Sequence, residues 1–322
     1  MFFDLARRAF ALGLAAAIVH VNAGATDRSQ PIRLIVPTPP GSAADAMARA
    51  LSAPWGKSSG RPIVVENIVG AGTTIGTTRL VRAAKDGLTL GIVSSNHTIN
   101  PWLYKALPYD AIADITPIAM IGSLPAMLVA NNNLAASTPA ELARLSKASK
   151  TPLAEGVVSG TAYHLVSEIF KEQAGFTTTP VPYKGSAQVI TDVMGGTLDV
   201  GIVPAQAAAP LVAAGRLKGL AVTTAARTSV APQIPTLAES GFPKFKAEIW
   251  LAVAGPAGLG AADIAMRRKE IESALAAPEA QQALQHQGIQ AIPMRQPEML
   301  PFLKSDLERN RLVVQRVGIT LN

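Results

Sequence analysis

Short apolar segments alternate with longer amphipathic segments along most of the chain, and this alternation restricts the possible fold more than any other feature. Segments rich in Ile, Val and Leu, such as 32–36 and 200–203, have the length and composition of buried strands. Segments with helical spacing, for example 161–174 and 186–194, lie between such strands and end at a glycine. Strands separated by helices of this length form βαβ units, so the sequence predicts an α/β fold with mainly parallel sheets flanked by helices.

The order of these segments predicts two lobes. We place one boundary near residue 124 and the return crossing in the proline-containing loop 223–235. One lobe then comprises residues 124–225 and is inserted into a second lobe made of residues 26–123 and 226–322. Two crossings of this kind form a hinge and allow the lobes to close about a cleft between them.

The N-terminal residues 1–25 have the pattern of a secretory signal peptide. Arg7 and Arg8 precede an apolar stretch over residues 9–21, and small residues including Ala23 and Ala25 follow it. The apolar stretch is too short for a lasting membrane anchor. We expect cleavage after Ala23 or Ala25 and a periplasmic protein, exported by the Sec route or, given the paired arginines, by the twin-arginine route. A buried N-terminal helix is the alternative interpretation.

The composition excludes several classes of protein. The 322 residues include no cysteine, which excludes disulfides, thiolate metal sites and cysteine nucleophiles. With 48% hydrophobic and 16% charged residues, the chain is too apolar to be disordered. The 29 basic and 22 acidic residues give a net charge of +7, but the basic residues are dispersed, whereas nucleic-acid-binding proteins cluster them. We therefore expect no nucleic-acid partner.

The motifs of common catalytic sites are missing from the sequence. There is no Gly-x-Ser-x-Gly nucleophile elbow and no Gly-Lys-Ser/Thr phosphate loop. The glycines at 70, 72 and 76 have the wrong spacing for a dinucleotide-binding fingerprint. Few histidines follow the expected cleavage site, and they are widely spaced, which disfavours a zinc site. We expect a binding protein that has no cofactor or metal and is not an enzyme, with an exported enzyme acting on a small organic acid as the least favoured alternative.

Four loops rich in Gly, Ser, Thr and Pro lie between a predicted strand and the helix that follows it. They are residues 38–43, 70–74, 159–161 and 184–186. Open parallel sheets bind ligands outside the carboxyl ends of their strands. The free N–H groups and the positive end of the dipole at a helix start attract carboxylate or phosphate. Because the loops are divided between the two expected lobes, they predict an anion-binding cleft.

The residues of these loops belong to a longer series of motifs that resembles a known family. The series is similar to the Bug-type receptors, which are the periplasmic substrate-binding proteins of tripartite tricarboxylate transporters, and it covers nearly the whole chain after the expected cleavage site. In chain order, the motifs are PIRLIVPTPPGSAAD (31–45), VVEN (64–67), GAG (70–72), DGLTL (86–90), NPWLYKALPYD (100–110), SGT (159–161) with HL (164–165), VPYKGSA (181–187), GGTLDV (195–200), IPTLAESG (234–241) and GPAG (255–258).

The resemblance implies a two-lobe fold of the type II periplasmic-binding-protein kind that closes on a small carboxylate. The expected ligand is a di- or tricarboxylate or an aromatic acid, which the receptor passes on to the membrane permease subunits of a tripartite transporter. A ligand-sensing receptor that docks on a sensor kinase is the alternative, and the sequence does not decide between them. We expect a monomer.

The resemblance also predicts ligand contacts, position by position. They are Thr38, Pro40, Gly41, Ser42, Asp45, Ser159, Gly160, Thr161, His164, Lys184, Gly185 and Ser186. Asn96 and His97 follow a predicted strand and are expected to face the same cleft. Gln206 is expected to supply an amide where many family members have an acidic residue or Asn, which makes that end of the cleft more apolar and disfavours amino-acid ligands.

Several of these residues have a structural alternative. His164 lies on a helix face with apolar neighbours and is equally consistent with packing, and for His97 a structural role is the favoured interpretation. Asp45 lies one turn into its helix, where it can pair locally, and Lys184 has the alternative of a solvated lysine. The chain also departs from the family where Thr38 replaces an aromatic residue and Ser42 a glycine.

Overall fold

The computed structural model describes residues 30–245 and 247–319, so the predicted signal peptide lies outside the described residues. The strands of this part of the chain are β1 (Ile32–Val36), β2 (Ile63–Asn67), β3 (Thr89–Ser94), β4 (Ile115–Leu124), β5 (Ala126–Ala130), β6 (Ala154–Val158), β7 (Thr179–Tyr183), β8 (Val200–Pro204), β9 (Lys218–Val222) and β10 (Ile249–Pro256). Its α-helices are α1 (Ala43–Ser59), α2 (Thr74–Val81), α3 (Asn96–Leu103), α4 (Pro139–Ala148), α5 (Ala162–Ala174), α6 (Ser186–Gly195), α7 (Ala205–Ala213), α8 (Ala261–Leu275), α9 (Pro278–Gln287) and α10 (Gln296–Val317). A single 3₁₀ turn, Ala71–Thr73, leads into α2.

The strands form two five-stranded sheets of matching design. Their orders are β2-β1-β3-β10-β4 and β7-β6-β8-β5-β9. In the first sheet β1 pairs in parallel with β2 and β3, and β10 is antiparallel to β3 and β4. In the second sheet β6 is parallel to β7 and β8, and β5 is antiparallel to β8 and β9. The predicted two-lobe α/β fold is confirmed, but each sheet is mixed, because the strands that leave or enter a lobe run against their neighbours.

Burial on both faces explains why the central strands are apolar throughout. In β1, Ile32, Leu34, Ile35 and Val36 are all buried, as expected for a parallel strand covered by helices on both sides. The helix that follows, α1, contains Pro54 and stops at a left-handed glycine.

The chain crosses between the sheets twice. Pro125 alone separates β4 from β5, and the second crossing lies between β9 and β10. The amide of Ala126 donates to Thr223 Oγ1 at 3.3 Å, which joins the two crossings. Helix α10 packs against both α3 and α5, and its Arg316 pairs with Glu172 of α5. We propose that the hinge lies at these crossings, with lobe boundaries near residues 124 and 225.

Within residues 30–245 and 247–319, no helix combines the length and the apolar character that crossing a bilayer requires. The same part of the chain brings no three His, Asp or Glu side chains together in a way that would hold a metal ion.

Candidate functional site

A cavity of about 260 Å³ lies between the two sheets, where β1, β3 and β6 reach their carboxyl ends. Open α/β sheets bind ligands at this edge because the loops there are free to vary. The residues that line it come from both sheets and are Pro37, Thr38, Ser42, Ala43, Ala44, Thr73, Ile92, Ser94, Asn96, Leu124, Val158, Thr161, Ala162, Tyr163, Gly185, Ser186, Ile249 and Leu251.

Helix starts from both lobes meet at this cavity. The lining includes Ser42 at the start of α1 and Asn96 at the start of α3 in the first lobe. It includes Thr161, which precedes α5, and Ser186, the first residue of α6, in the second lobe. The first N–H groups of a helix have no partner inside the helix and carry its positive partial charge. No side chain caps the start of α5 or α6. Their amides are therefore available to an anion.

The described lining contains no Asp, Glu, Lys, Arg or His. Any charge on a ligand must therefore be balanced by backbone dipoles and by the hydroxyls of the serine, threonine and tyrosine residues in the wall. The other part of the wall is aliphatic, with Ile92, Leu124, Val158, Ile249 and Leu251. A ligand that suits this cavity combines a negatively charged oxygen group with a short apolar body.

The turn between β1 and α1 is held by hydroxyls. The side-chain oxygens of Thr38 and Ser42 lie 2.7 Å apart, and Ser42 caps α1 by accepting the amide of Asp45 at 3.2 Å. Gly41 has φ 83°, a conformation that glycine adopts without strain. These contacts fix the turn that contributes Thr38 and Ser42 to the cavity wall.

Asp45 stabilises this turn through hydrogen bonds and does not line the cavity. Its carboxylate accepts hydrogen bonds from the Gly41 amide at 2.9 Å, from Asn67 Nδ2 at 2.9 Å and from Arg49 Nε. Burial alone would raise the pKa of Asp45, but the hydrogen bonds from Arg49, Gly41 and Asn67 outweigh it and hold the pKa below its ordinary value. Asp45 is 3% exposed and is not part of the cavity wall, so we propose that it positions the turn in place of the ligand contact predicted from the sequence.

A second loop at the cavity is conformationally strained. Residues 70–73 all have positive φ, and the non-glycine members are Ala71 at 44° and Thr73 at 82°. Asn100 holds the loop by donating from Nδ2 to the Gly72 carbonyl at 2.8 Å. Left-handed conformations of β-branched residues are unfavourable and persist only where the surroundings enforce them. Here they bring Thr73 into the cavity wall.

Six of the predicted ligand residues lie in the cavity wall. They are Thr38, Ser42, Asn96, Thr161, Gly185 and Ser186. The other predicted residues lie outside the wall. Pro40 and Gly41 are exposed in the turn before α1, Lys184 is exposed before α6, and Ser159 and Gly160 precede α5 without entering the wall. Gln206 lies near the start of α7, outside the wall, and its buried Oε1 has no partner among the described residues.

His97 is a packing residue. Its side chain is 1% exposed, its Nε2 lies 2.7 Å from the Ala111 carbonyl, and its ring stacks on Tyr109 at a centroid distance of 5.6 Å. Burial lowers the pKa of His97 to about 4, against the opposing effect of the Ala111 hydrogen bond. A helix turns by about 100° per residue, so Asn96 lines the cavity and the next side chain points into the core.

His164 is also a packing residue, because it comes one position after Tyr163 on α5 and points in a different direction. It is 7% exposed, and its Nε2 lies 3.5 Å from Glu168 Oε1 on the same helix. Glu168 in turn pairs with Lys171, which also binds the buried Glu155. His164 therefore belongs to a polar network that fixes α5 on β6, and it does not line the cavity.

The cavity wall contains three polar residues that we did not predict from the sequence. Thr73 and Ser94 lie at loop and strand ends, and the third is Tyr163 at the second position of α5. Thr73 falls within a loop that we singled out, so the loop pattern could have indicated it. Nothing in the pattern around Tyr163 distinguishes it from a core aromatic residue.

Comparison with known proteins gives a consistent result. The sequence profile described as "Tripartite tricarboxylate transporter family receptor" matches residues 47–319. Protein BugT of Bordetella pertussis is 32% identical over 296 residues, which cover 91% of this chain and 91% of BugT. The structure of the periplasmic binding protein BugD superposes with a TM-score of 0.75 at 26% identity, covering 90% of this chain and 99% of BugD. The structure of R. palustris Rpa4515 with adipate gives a TM-score of 0.77 at 28% identity and covers 90% and 98% of the two chains.

Proposed function

Since this chain belongs to the tripartite tricarboxylate transporter receptor family, we propose that it is a periplasmic receptor that binds a small organic carboxylate, leaves it chemically unchanged and presents it to membrane permease subunits. The chain is similar over most of its length to a structure with adipate and to a periplasmic binding protein. The proposal combines that similarity with the chemistry of the cavity.

One observation carries the proposal. Helix starts from both lobes converge on a cavity whose wall contains no charged side chain among the described residues. Such a wall offers an anion several backbone N–H groups and hydroxyls, each hydrogen bond to a charged oxygen contributing about 1.5–3 kcal/mol. It offers a cation no carboxylate. Because α1 and α3 belong to one lobe and α5 and α6 to the other, an anion that binds both sets stabilises the closed form.

A thermal-shift screen followed by titration calorimetry tests the proposal. The probes are succinate, malate, adipate, benzoate and citrate, with putrescine as a dication of similar length. We expect at least one acid to raise Tm in a concentration-dependent manner, because binding to the folded state stabilises it by mass action, and we expect no shift with putrescine. The acid recovered from the complex should have an unchanged mass. A rise in Tm with putrescine alone would contradict the proposed ligand class. So would the absence of any rise in Tm with all the acids at millimolar concentration.

Export has its own test. The full chain, expressed in a Gram-negative host, is expected in the periplasmic fraction with a mass that corresponds to cleavage after Ala23 or Ala25. Recovery of the uncleaved chain in the cytoplasmic fraction would contradict this location.

A further inference from the structure

Tyr163 is the one aromatic side chain in the described wall of the cavity. It belongs to α5 of the second lobe, whereas Leu124, Ile249 and Leu251, which border the same cavity, belong to the sheet of the first lobe. The phenol ring is the bulkiest group in the wall. It therefore takes up space between the lobes that a smaller residue would leave to the ligand.

The hydroxyl of Tyr163 makes no hydrogen bond with another described residue. Burial raises the pKa of this phenol, so it stays protonated at neutral pH and is able to donate to a ligand oxygen. Tyr163 is half-buried and lines the cavity, so a ligand in the cavity is able to supply the acceptor that this hydroxyl lacks within the protein. Tyr183 in the same lobe is different, because its hydroxyl is paired with Asp192 and it lies outside the cavity wall.

The volume of the cavity limits the size of the acid that it can hold. A volume of about 260 Å³ is below the range of about 300–1,000 Å³ that is usual for ligand pockets. A cavity of this size suits a compact acid, and the ring of Tyr163 takes up part of the space into which a longer acid would extend.

We propose that Tyr163 determines the specificity of the receptor for compact linear acids, its ring limiting ligand length and its hydroxyl hydrogen-bonding an oxygen of the bound acid. This inference rests on the proposed function. The helix starts alone would bind different acids equally well. In this proposal, Tyr163 of the second lobe selects among them.

Calorimetry with a homologous series tests the inference. The series runs from malonate through succinate, glutarate and adipate to suberate, and the variants are Tyr163→Phe, Tyr163→Ala and the matched control Tyr183→Phe. For Tyr163→Ala, we expect the best-bound acid to be at least one methylene longer than for the unmodified protein, because the ring no longer closes the cavity. For Tyr163→Phe, we expect the same preferred length with affinity lower by about 10- to 100-fold, because only the hydrogen bond is lost. Tyr183→Phe should retain the original preference and affinity.

The possible failures are distinct. If the unmodified protein binds neither the series nor any acid of the thermal-shift screen, the proposed function and this inference are both overturned. If it binds only benzoate or citrate, this inference alone is overturned. If it binds but Tyr163→Ala keeps the original preferred length, or Tyr163→Phe keeps the original affinity, the inference is overturned and the proposed function stands. The thermal unfolding of each variant without ligand shows that it is folded, and Tyr163→Phe retains the ring in case Tyr163→Ala does not fold.

Discussion

The hydroxyl oxygens of Thr38 and Ser42 lie 2.7 Å apart across the turn between β1 and α1. Ser42 also caps α1 by accepting the Asp45 amide. One serine therefore has two tasks, since it stabilises the helix and contributes to the cavity wall. Ser186 occupies a similar place in the second lobe but does not cap, because Gly185 is the N-cap residue of α6. Substitution of Ser42 should therefore affect both stability and binding, whereas substitution of Ser186 should affect binding alone.

We predict that Ser42→Ala lowers the free energy of unfolding by about 1 kcal/mol, the usual cost of losing an N-cap, and also weakens ligand binding. Ser186→Ala should weaken binding by a similar factor with little change in stability, because its hydroxyl makes no hydrogen bond with another described residue and caps no helix. Urea unfolding and calorimetry with the same acid measure both effects. An unfolding midpoint that falls as far for Ser186→Ala as for Ser42→Ala would contradict the assignment.

Because the pKa of buried His97 is lowered, we expect the protein to lose stability in acid. The native pKa of about 4 lies below the ordinary value of 6.5, so the unfolded chain binds a proton in a pH range where the native protein does not. The stability that depends on neutral His97 is complete above pH 6.5 and is lost as the pH falls towards 4, by about 3 kcal/mol in total.

The measurement is the pH dependence of unfolding, not the absolute stability, because His97→Gln also disturbs packing. We expect the slope between pH 6.5 and 4 to decrease in His97→Gln and to stay the same in His286→Gln, which replaces an exposed histidine. Equal slopes in all three proteins would show that His97 is not protected from protonation.

We expect that loss of the buried ion pair between Lys171 and Glu155 in the second lobe strongly destabilises the protein. Lys171 Nζ lies 2.9 Å from Glu155 Oε2, and Glu155 is 2% exposed. Removing one partner leaves a buried charge uncompensated, so Lys171→Met should lower the free energy of unfolding by about 3–5 kcal/mol. Arg295→Met, which removes the exposed pair with Glu298, should cost no more than about 1 kcal/mol. Chemical unfolding of both variants checks this, and similar losses would contradict it.

Glu248 lies in the second crossing, between β9 and β10, and leads us to expect the opposite dependence of stability on pH. Its carboxyl group borders a cavity of about 290 Å³ with Phe245, Phe302 and Arg309, and burial raises its pKa despite the charge of Arg309. The native state then holds this proton more tightly than the unfolded chain, so stability falls as the pH rises through the range between the two pKa values.

Replacing the carboxyl group should therefore stabilise the protein at neutral pH. We expect Glu248→Gln to gain about 0.5–2 kcal/mol at pH 7 and nothing below pH 4. Glu308→Gln removes a carboxylate whose pKa is lowered by its hydrogen bond with Arg311, and it should bring no gain. Differential scanning calorimetry at pH 4 and pH 7 makes the comparison, and a gain for Glu248→Gln that does not depend on pH would contradict the titration of this group.

The two-lobe α/β fold and the loops that surround the cavity could be predicted from the sequence, because both follow from local patterns. Apolar strands end at residues such as Val36 and Val158, and helix starts rich in hydroxyls and glycine follow them. These patterns suffice to predict that Thr38, Ser42, Thr161 and Ser186 lie close together.

Local patterns do not predict which of two neighbouring side chains lines the cavity, because this depends on how the elements pack. Asn96 and Tyr163 line the cavity, whereas His97 and His164, one position further on, are buried elsewhere. The direction of β10 and β5, which makes each sheet mixed, was also beyond local pattern, since it depends on where the chain returns between lobes. The physical reason is the same in both cases: a side chain's direction depends on the rotation and packing of whole elements, and contacts between residues far apart in the sequence set that rotation.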